Sequence, residues 1–121
     1  MQQFLKSTRA ISDETRLRIL NLLMVRECCV CEVIQALEIS QTRASRNLNI
    51  LYDAGYLYMR KEGLWSLYSI KPEEKLPGFL HALIQAVKKG LEGNGMADRD
   101  IRRLKNAERI GPACAERKIR A

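Results

Sequence analysis

Histidine is almost missing from this 121-residue chain, which holds only His81. A lone histidine on a helix flank is ordinarily solvated or hydrogen-bonded, so a zinc site built on imidazole is not expected. No long hydrophobic run exists either. The longest apolar stretch, Ile19 to Val25, is broken by Asn21 and falls far short of the ~20 residues that span a bilayer. The N-terminus, Met1 to Lys6, lacks the apolar core of a signal peptide, so the cytoplasm is the expected compartment and no membrane partner is expected. The cysteines lack the two-residue spacer of Cys-x-x-Cys and no parallel βαβ pattern surrounds them. That argues against a small thiol-dependent reductase, and the chain is expected not to be an enzyme. Repeats and low-complexity segments are absent.

What is present is globular: 46% hydrophobic and 29% charged residues, enough for one core and too few residues for two. The net charge is +7. A basic balance points towards a polyanionic partner, although charge alone fits a merely soluble basic protein equally well. Three of the four cysteines fall within Glu27-Cys28-Cys29-Val30-Cys31-Glu32, and Cys114 is the fourth. In a reducing compartment such a cluster is read as ion-binding or redox-active rather than as a disulfide framework.

Hydrophobic spacing organises the remainder. A short helix over about 3–10 carries Phe4 and Leu5. Ser12 is expected to cap a helix running to Val25, with Leu17, Leu20, Leu23 and Met24 inward and Arg16, Arg18 and Asn21 more exposed. Arg26 to Cys28 reads as a polar break. A short helix over about 30–37 (Val33, Ile34 and Leu37 inward), a turn at Glu38–Gln41, and a helix capped by Ser40 and ending at Ala54-Gly55 form a helix-turn-helix. Ala44, Leu48 and Leu51 share one face of that last helix. Gln41 at its start, then Thr42, Ser45, Arg46 and Asn49 opposite with Arg43 on the flank, suit base edges and phosphates of double-stranded DNA. Two strands, 56–60 and 65–70, flank a loop at Lys61–Leu64 in which Gly63 supplies a positive φ. This hairpin makes the unit a winged helix, with Arg60 and Lys61 as phosphate clamps and Trp65 as a packing residue. Pro72 and Pro77 bracket a linker. Beyond it Leu80, Leu83, Ile84, Val87 and Leu91 form one apolar stripe, for which a homodimer interface shared with Phe4 and Leu5 is the favoured use. The expected fold is therefore mainly α with a small β-hairpin, a dimeric winged helix-turn-helix over residues 1–91. Residues 92–121, with eight Lys/Arg against five Asp/Glu, are expected to be a basic, partly mobile extension containing at most a turn or two of helix.

Three of these motifs, in order and at the right spacing, resemble the ArsR/SmtB family of winged-helix repressors. They are Ala10 to Leu20, Ser40 to Leu51, and Lys61 to Tyr68. Glu27 to Glu32 is similar to the family's Glu-Leu-Cys-Val-Cys-Asp box, with Cys29 and Cys31 at its cysteine positions and Cys28 in place of its leucine. The resemblance implies a homodimeric repressor that leaves its operator when an effector binds. Arsenic-responsive members often carry a third cysteine where this chain has Ile34. Cysteines before position 28, used by the cadmium and lead branch, are absent, as is an acid-histidine set around His81.

The expected effector is therefore trivalent arsenic or antimony held by Cys29, Cys31 and a third thiolate, with Cys28 the first candidate and Cys114 the alternative; no permanent cofactor is expected. With all three clustered cysteines on a helix, Cys28 and Cys31 share a face. Cys29 and Cys31, two apart, then converge only if the helix start unwinds, and that distortion would shift the recognition helix. A thiol-redox or sulfide-responsive repressor, pairing Cys29 or Cys31 with Cys28 or Cys114, is the alternative. An architectural DNA-coating protein, in which the cysteines would be idle, is the third.

Overall fold

The computed structural model describes residues 1–110. Six helices surround a small sheet: α1 (Gln2–Ala10), α2 (Glu14–Val25), β1 (Cys28–Cys29), α3 (Val30–Leu37), α4 (Gln41–Asp53), β2 (Leu57–Glu62), β3 (Trp65–Ile70), α5 (Gly78–Gly90) and α6 (Gly95–Asn106). The bulk of the core lies where α2 meets α3, α4, α5 and α6. α2 is apolar on more than one side: Ile19, Leu20 and Leu22 are fully buried and Leu23 nearly so. Its cap is Asp13, not Ser12. The Asp13 carboxylate accepts from the Arg16 N–H, whereas the Ser12 hydroxyl turns back to the Thr8 carbonyl. An acid completes this N-terminus better than a hydroxyl because it also meets the helix dipole.

Arg16, Arg18 and Asn21 are half-buried rather than exposed, since each is drawn inward by a tertiary partner. Arg16 donates to the Ala10 carbonyl and to Asn47 Oδ1 (2.8 Å). Asn21 donates to the Ala97 carbonyl (3.1 Å). Arg18 forks onto Asp100 through Nε (2.8 Å) and Nη2 (2.9 Å).

α3 ends on Glu38, which takes the left-handed conformation (φ 57°) that turns the chain into α4. Ser40 caps α4 as the spacing predicts, accepting from the Arg43 N–H (3.1 Å). Ala44, Leu48 and Leu51 are buried as expected, and Asn47 joins them, tied to Arg16 and to the Arg43 carbonyl.

The hairpin extends further than predicted. Lys61 and Glu62 belong to β2, Glu62 faces Trp65, and only Gly63 and Leu64 form the loop. Gly63 opens that two-residue loop at φ +61°, the position where such turns ask for glycine. The sheet has three strands, not two, in the order β1-β3-β2, because Cys28, the last residue of the segment read as a polar break, forms β1 with Cys29.

The apolar stripe after the linker is shared between two surfaces. Leu80, Ile84 and Val87 pack into the protomer's own core, while Leu83 and Leu91 are half-buried. Phe4 and Leu5 stay exposed, with Phe4 edge-on to Phe79 at 5.7 Å between ring centroids. Residues 95–106 are not an appendage. Asn94 caps a three-turn helix whose Ala97, Asp100 and Leu104 are buried against α2 and α3. Sequence pattern understated α6 because two of its anchors are polar contacts to α2 rather than an apolar stripe. Cys114 lies outside the described residues.

Candidate thiol site and DNA-binding surface

Cys28 and Cys29 are on a strand and Cys31 is in the first turn of a helix, so the three cysteines do not share a helix. β1 pairs antiparallel with β3, setting Cys28 opposite Tyr68 and Cys29 opposite Leu67. Successive strand residues point to opposite faces, and the two cysteines separate accordingly. Cys28 enters the main core with Tyr68, Leu20 and Ile34. Cys29 and Cys31 form a second, smaller cluster with Leu67 and the half-buried Trp65.

This separation corrects two expectations. Cys28 does not share a face with Cys31, and its fully buried thiol is raised to about 12 by loss of water, with Glu32 adding to the effect. A thiol so reluctant to ionise is a poor third ligand. Cys29 and Cys31, conversely, meet without any unwinding. Cys29 is the N-cap of α3, in extended conformation (φ −83°, ψ 166°), and this bends its side chain back over the first turn. The two are joined as a disulfide with Cα atoms 5.4 Å apart. Of the expected oxidation partners, Cys28 is a free, buried thiol, and Cys114 lies outside the described residues.

Glu32 holds this geometry, and its role was not read from the sequence. The signal was there in its spacing, an acid three residues past the cap. Buried to 3% exposure, Glu32 accepts from the Cys29 N–H (2.8 Å), from Arg26 Nη1 (2.7 Å) and from Arg109 Nε (3.2 Å). Arg26 also reaches the Leu104 carbonyl at the end of α6. Gln35 clamps the backbone of Glu108 at both ends, donating to its carbonyl (2.7 Å) and accepting from its N–H (3.1 Å). The segment after α6 is thereby strapped across the start of α3. Among the described residues no group of three or more His, Cys, Asp or Glu side chains is placed to hold a metal ion. His81 Nε2 lies 3.5 Å from a Glu73 carboxylate oxygen.

On α4, Gln41, Thr42, Arg43, Arg46 and Asn49 are exposed and Ser45 is half-exposed. Arg43 Nη2 also rests on Thr15 Oγ1 (2.9 Å). The wing differs from expectation. Arg60 does not stand free as a phosphate clamp, since it donates to both carboxylate oxygens of Glu27 (2.9 and 2.7 Å) and to Glu62 (2.9 Å). Lys61 donates to Ser66 Oγ (2.9 Å). The Glu27 carboxyl is held below its ordinary range by the Arg60 hydrogen bonds.

A helix-turn-helix followed by a β-wing, with a polar, basic second helix, defines a DNA-binding transcriptional regulator of the winged-helix class. Residues 13–58 match the bacterial regulatory protein, arsR family. The arsenic resistance transcriptional regulator ArsR2 of Pseudomonas putida is 39% identical over 103 residues, covering 83% of this chain and 84% of that one. ArsR1 of the same organism is 41% identical over 81 residues, 65% of this chain and 61% of its own length. The arsenical resistance operon repressor of Escherichia coli is 43% identical over 65 residues, covering 53% of this chain and 56% of its own. Among solved structures, the homodimeric winged helix-turn-helix DNA-binding domain of Mb0332 from Mycobacterium bovis aligns with TM-score 0.64 and 28% identity over 78% of this chain and 82% of that one. HlyU from Vibrio cholerae aligns with TM-score 0.62 and 28% identity over 73% of this chain and 90% of that one. The chain belongs to the arsR family, whose members are transcriptional regulators and not enzymes. No helix among the described residues is long and apolar enough to cross a membrane.

Proposed function

We propose that the protein is a repressor that binds operator DNA as a homodimer and leaves it when trivalent arsenic or antimony is taken up by the reduced Cys29 and Cys31. The observation that carries the reading is the convergence of these two sulfurs on one side of the wing sheet, in a chain 39% identical to an arsenic resistance regulator. Soft thiolates select soft, thiophilic centres, and a trivalent centre asks for three. With Cys28 turned into the other core cluster, Cys114 is the third thiolate. Arg109, five positions before it, touches Glu32, and five residues reach at most about 17 Å.

A centre bonded to both sulfurs fixes their separation, which two free thiols leave open, and so constrains the Cys29 cap and the β1–β3 pairing. A coupling of roughly 1–3 kcal/mol, the usual allosteric range, lowers operator affinity about 5- to 150-fold. Gln41, Thr42, Arg43, Ser45, Arg46 and Asn49 read the operator, with Lys61 and Arg60 at the backbone. Two such helices in a dimer fall about 34 Å apart on an imperfect palindrome. Phe4, Leu5 and Leu83, beside an apolar groove of ≈ 270 Å³ lined by Leu17, Ala86, Val87, Gly90 and Leu91, form the dimer face.

The test is operator release titrated with arsenite and antimonite under reducing conditions, on wild type and on Cys28→Ser, Cys29→Ser, Cys31→Ser and Cys114→Ser. Release is expected to vanish in the Cys29 and Cys31 variants, weaken in the Cys114 variant and persist in Cys28→Ser. Persistence in Cys29→Ser and Cys31→Ser overturns the site.

A second reading is favoured by the Cys29–Cys31 bond itself, in which oxidation is the signal. Two thiols then surrender two electrons and two protons to a peroxide, giving one disulfide and two waters or a water and an alcohol. Release by peroxide without arsenite, reversed by dithiol, identifies this case.

A further inference from the structure

The carboxylate two residues before Cys29 grips the wing. Glu27 receives both Arg60 Nε and Nη2, a planar fork on a carboxylate, while Nη1 goes to Glu62. The sheet register aligns these groups with the thiol site. Cys29 is opposite Leu67 and Leu67 is opposite Arg60, so one row crosses all three strands. Paired positions in a row share a face, and so do residues two apart on an extended strand. Arg60 and Glu62 thus lie on the same side of the sheet as Leu67, Trp65 and Cys29. Two carboxylates against one guanidinium leave an excess negative charge around a half-exposed cation on the wing.

We propose that Glu27 is a positioning residue for DNA release: it competes with a DNA phosphate for Arg60, and the state of the Cys29–Cys31 pair, transmitted along β1, sets how well it competes. The coupling half of this proposal rests on the thiol-sensing reading above. In the structure, with the two cysteines joined, Glu27 holds the arginine and the wing is poised against DNA. The backbone path from Cys29 to Glu27 is two residues long, and its only sheet partner is β3, which also carries the wing. A shift of the Cys29 cap moves Glu27 relative to β2 before it moves any residue of α4. The wing is therefore the shorter route from the sulfurs to DNA.

The experiment measures binding of the full chain to a fluorescein-labelled duplex selected on the wild-type protein from a random-sequence pool. Salt is varied between about 50 and 200 mM, with and without arsenite, for wild type, Glu27→Gln, Arg60→Gln and the double variant. Glu27→Gln is expected to bind about fivefold more tightly than wild type with arsenite present, where Glu27 holds Arg60, and to gain less in the reduced, arsenite-free form. Its dependence of log K on log salt should steepen by about 0.9, the equivalent of one added phosphate contact. Arsenite should release it less completely than wild type. In the Arg60→Gln background the same change should do nothing. Circular dichroism of each variant reports its folding, and both side chains reach solvent, so the fold is expected to be retained.

Wild type released by arsenite with Glu27→Gln indistinguishable from it overturns the role of Glu27. An equal gain in the Arg60→Gln background also overturns it, because Glu27 would then be only a diffuse repulsive charge. Wild type unaffected by arsenite, with the steeper slope still present in Glu27→Gln, overturns the arsenic reading and the coupling while supporting the competition for Arg60.

Discussion

Replacing Glu32 by alanine removes one carboxylate that serves three donors, and the cost follows from what each is left with. The buried Cys29 N–H loses the Glu32 acceptor, for about 1–2 kcal/mol. Arg26 and Arg109 lose this carboxylate as well, but their side chains are 37% and 29% exposed and regain water, and Arg26 keeps the Leu104 carbonyl. The 3–5 kcal/mol typical of a broken buried ion pair is therefore cut to about 1–2 kcal/mol. The sum is about 3 kcal/mol, or roughly 12 °C in Tm for a chain of this size. Glu32→Gln keeps an oxygen for the cap and loses the charge, so about half the effect is expected. Urea unfolding of the reduced protein at neutral pH, with both variants compared, measures this directly. The same titrations with arsenite should show the alanine variant binding more weakly, because Cys29 is no longer held as the cap that turns its sulfur towards Cys31. An alanine variant within about 0.5 kcal/mol of wild type would refute the reasoning, since the carboxylate would then not organise the cap.

Arg18→Ala takes from the fully buried Asp100 its forked partner, leaving Arg103 at 3.6 Å, and should cost about 3 kcal/mol by denaturant unfolding. The raised Cys28 thiol implies that stability contributed by its neutral form is complete below its ordinary range and is lost as pH climbs towards about 12. At pH 8, iodoacetamide should accordingly leave Cys28 unlabelled in folded protein and label it on unfolding, as peptide mass mapping can show. Ser40→Ala removes the cap of α4 and should lower stability by about 1 kcal/mol, with weaker operator binding because the first turn carries Gln41, Thr42 and Arg43. Gly55→Ala places a Cβ 3.3 Å from Leu80 Cδ1 at φ +95°, so a thermal melt should show a clear loss from strain as well as contact.

The linear chain determined the parts that depend on near neighbours. The caps and three-residue spacings of α3 and α4, the glycine of the wing loop and the box around Cys29 and Cys31 are local patterns. A helix-turn-helix with a wing was legible from them. Tertiary structure decided the rest, because it depends on partners far away in sequence. Cys28 reads as a neighbour of Cys31 only until residues 67 and 68 pull positions 28 and 29 into a strand, whose alternation sends one thiol into the main core and the other back towards its pair. Arg60 reads as a phosphate contact until Glu27, 33 positions earlier, is set beside it. Asp100 reads as a charge on a tail until Arg18 receives it and fixes α6 to the core. Periodicity reports which face of a segment is apolar. It carries no information about which charge will find which partner, since that is fixed by the packing of whole elements.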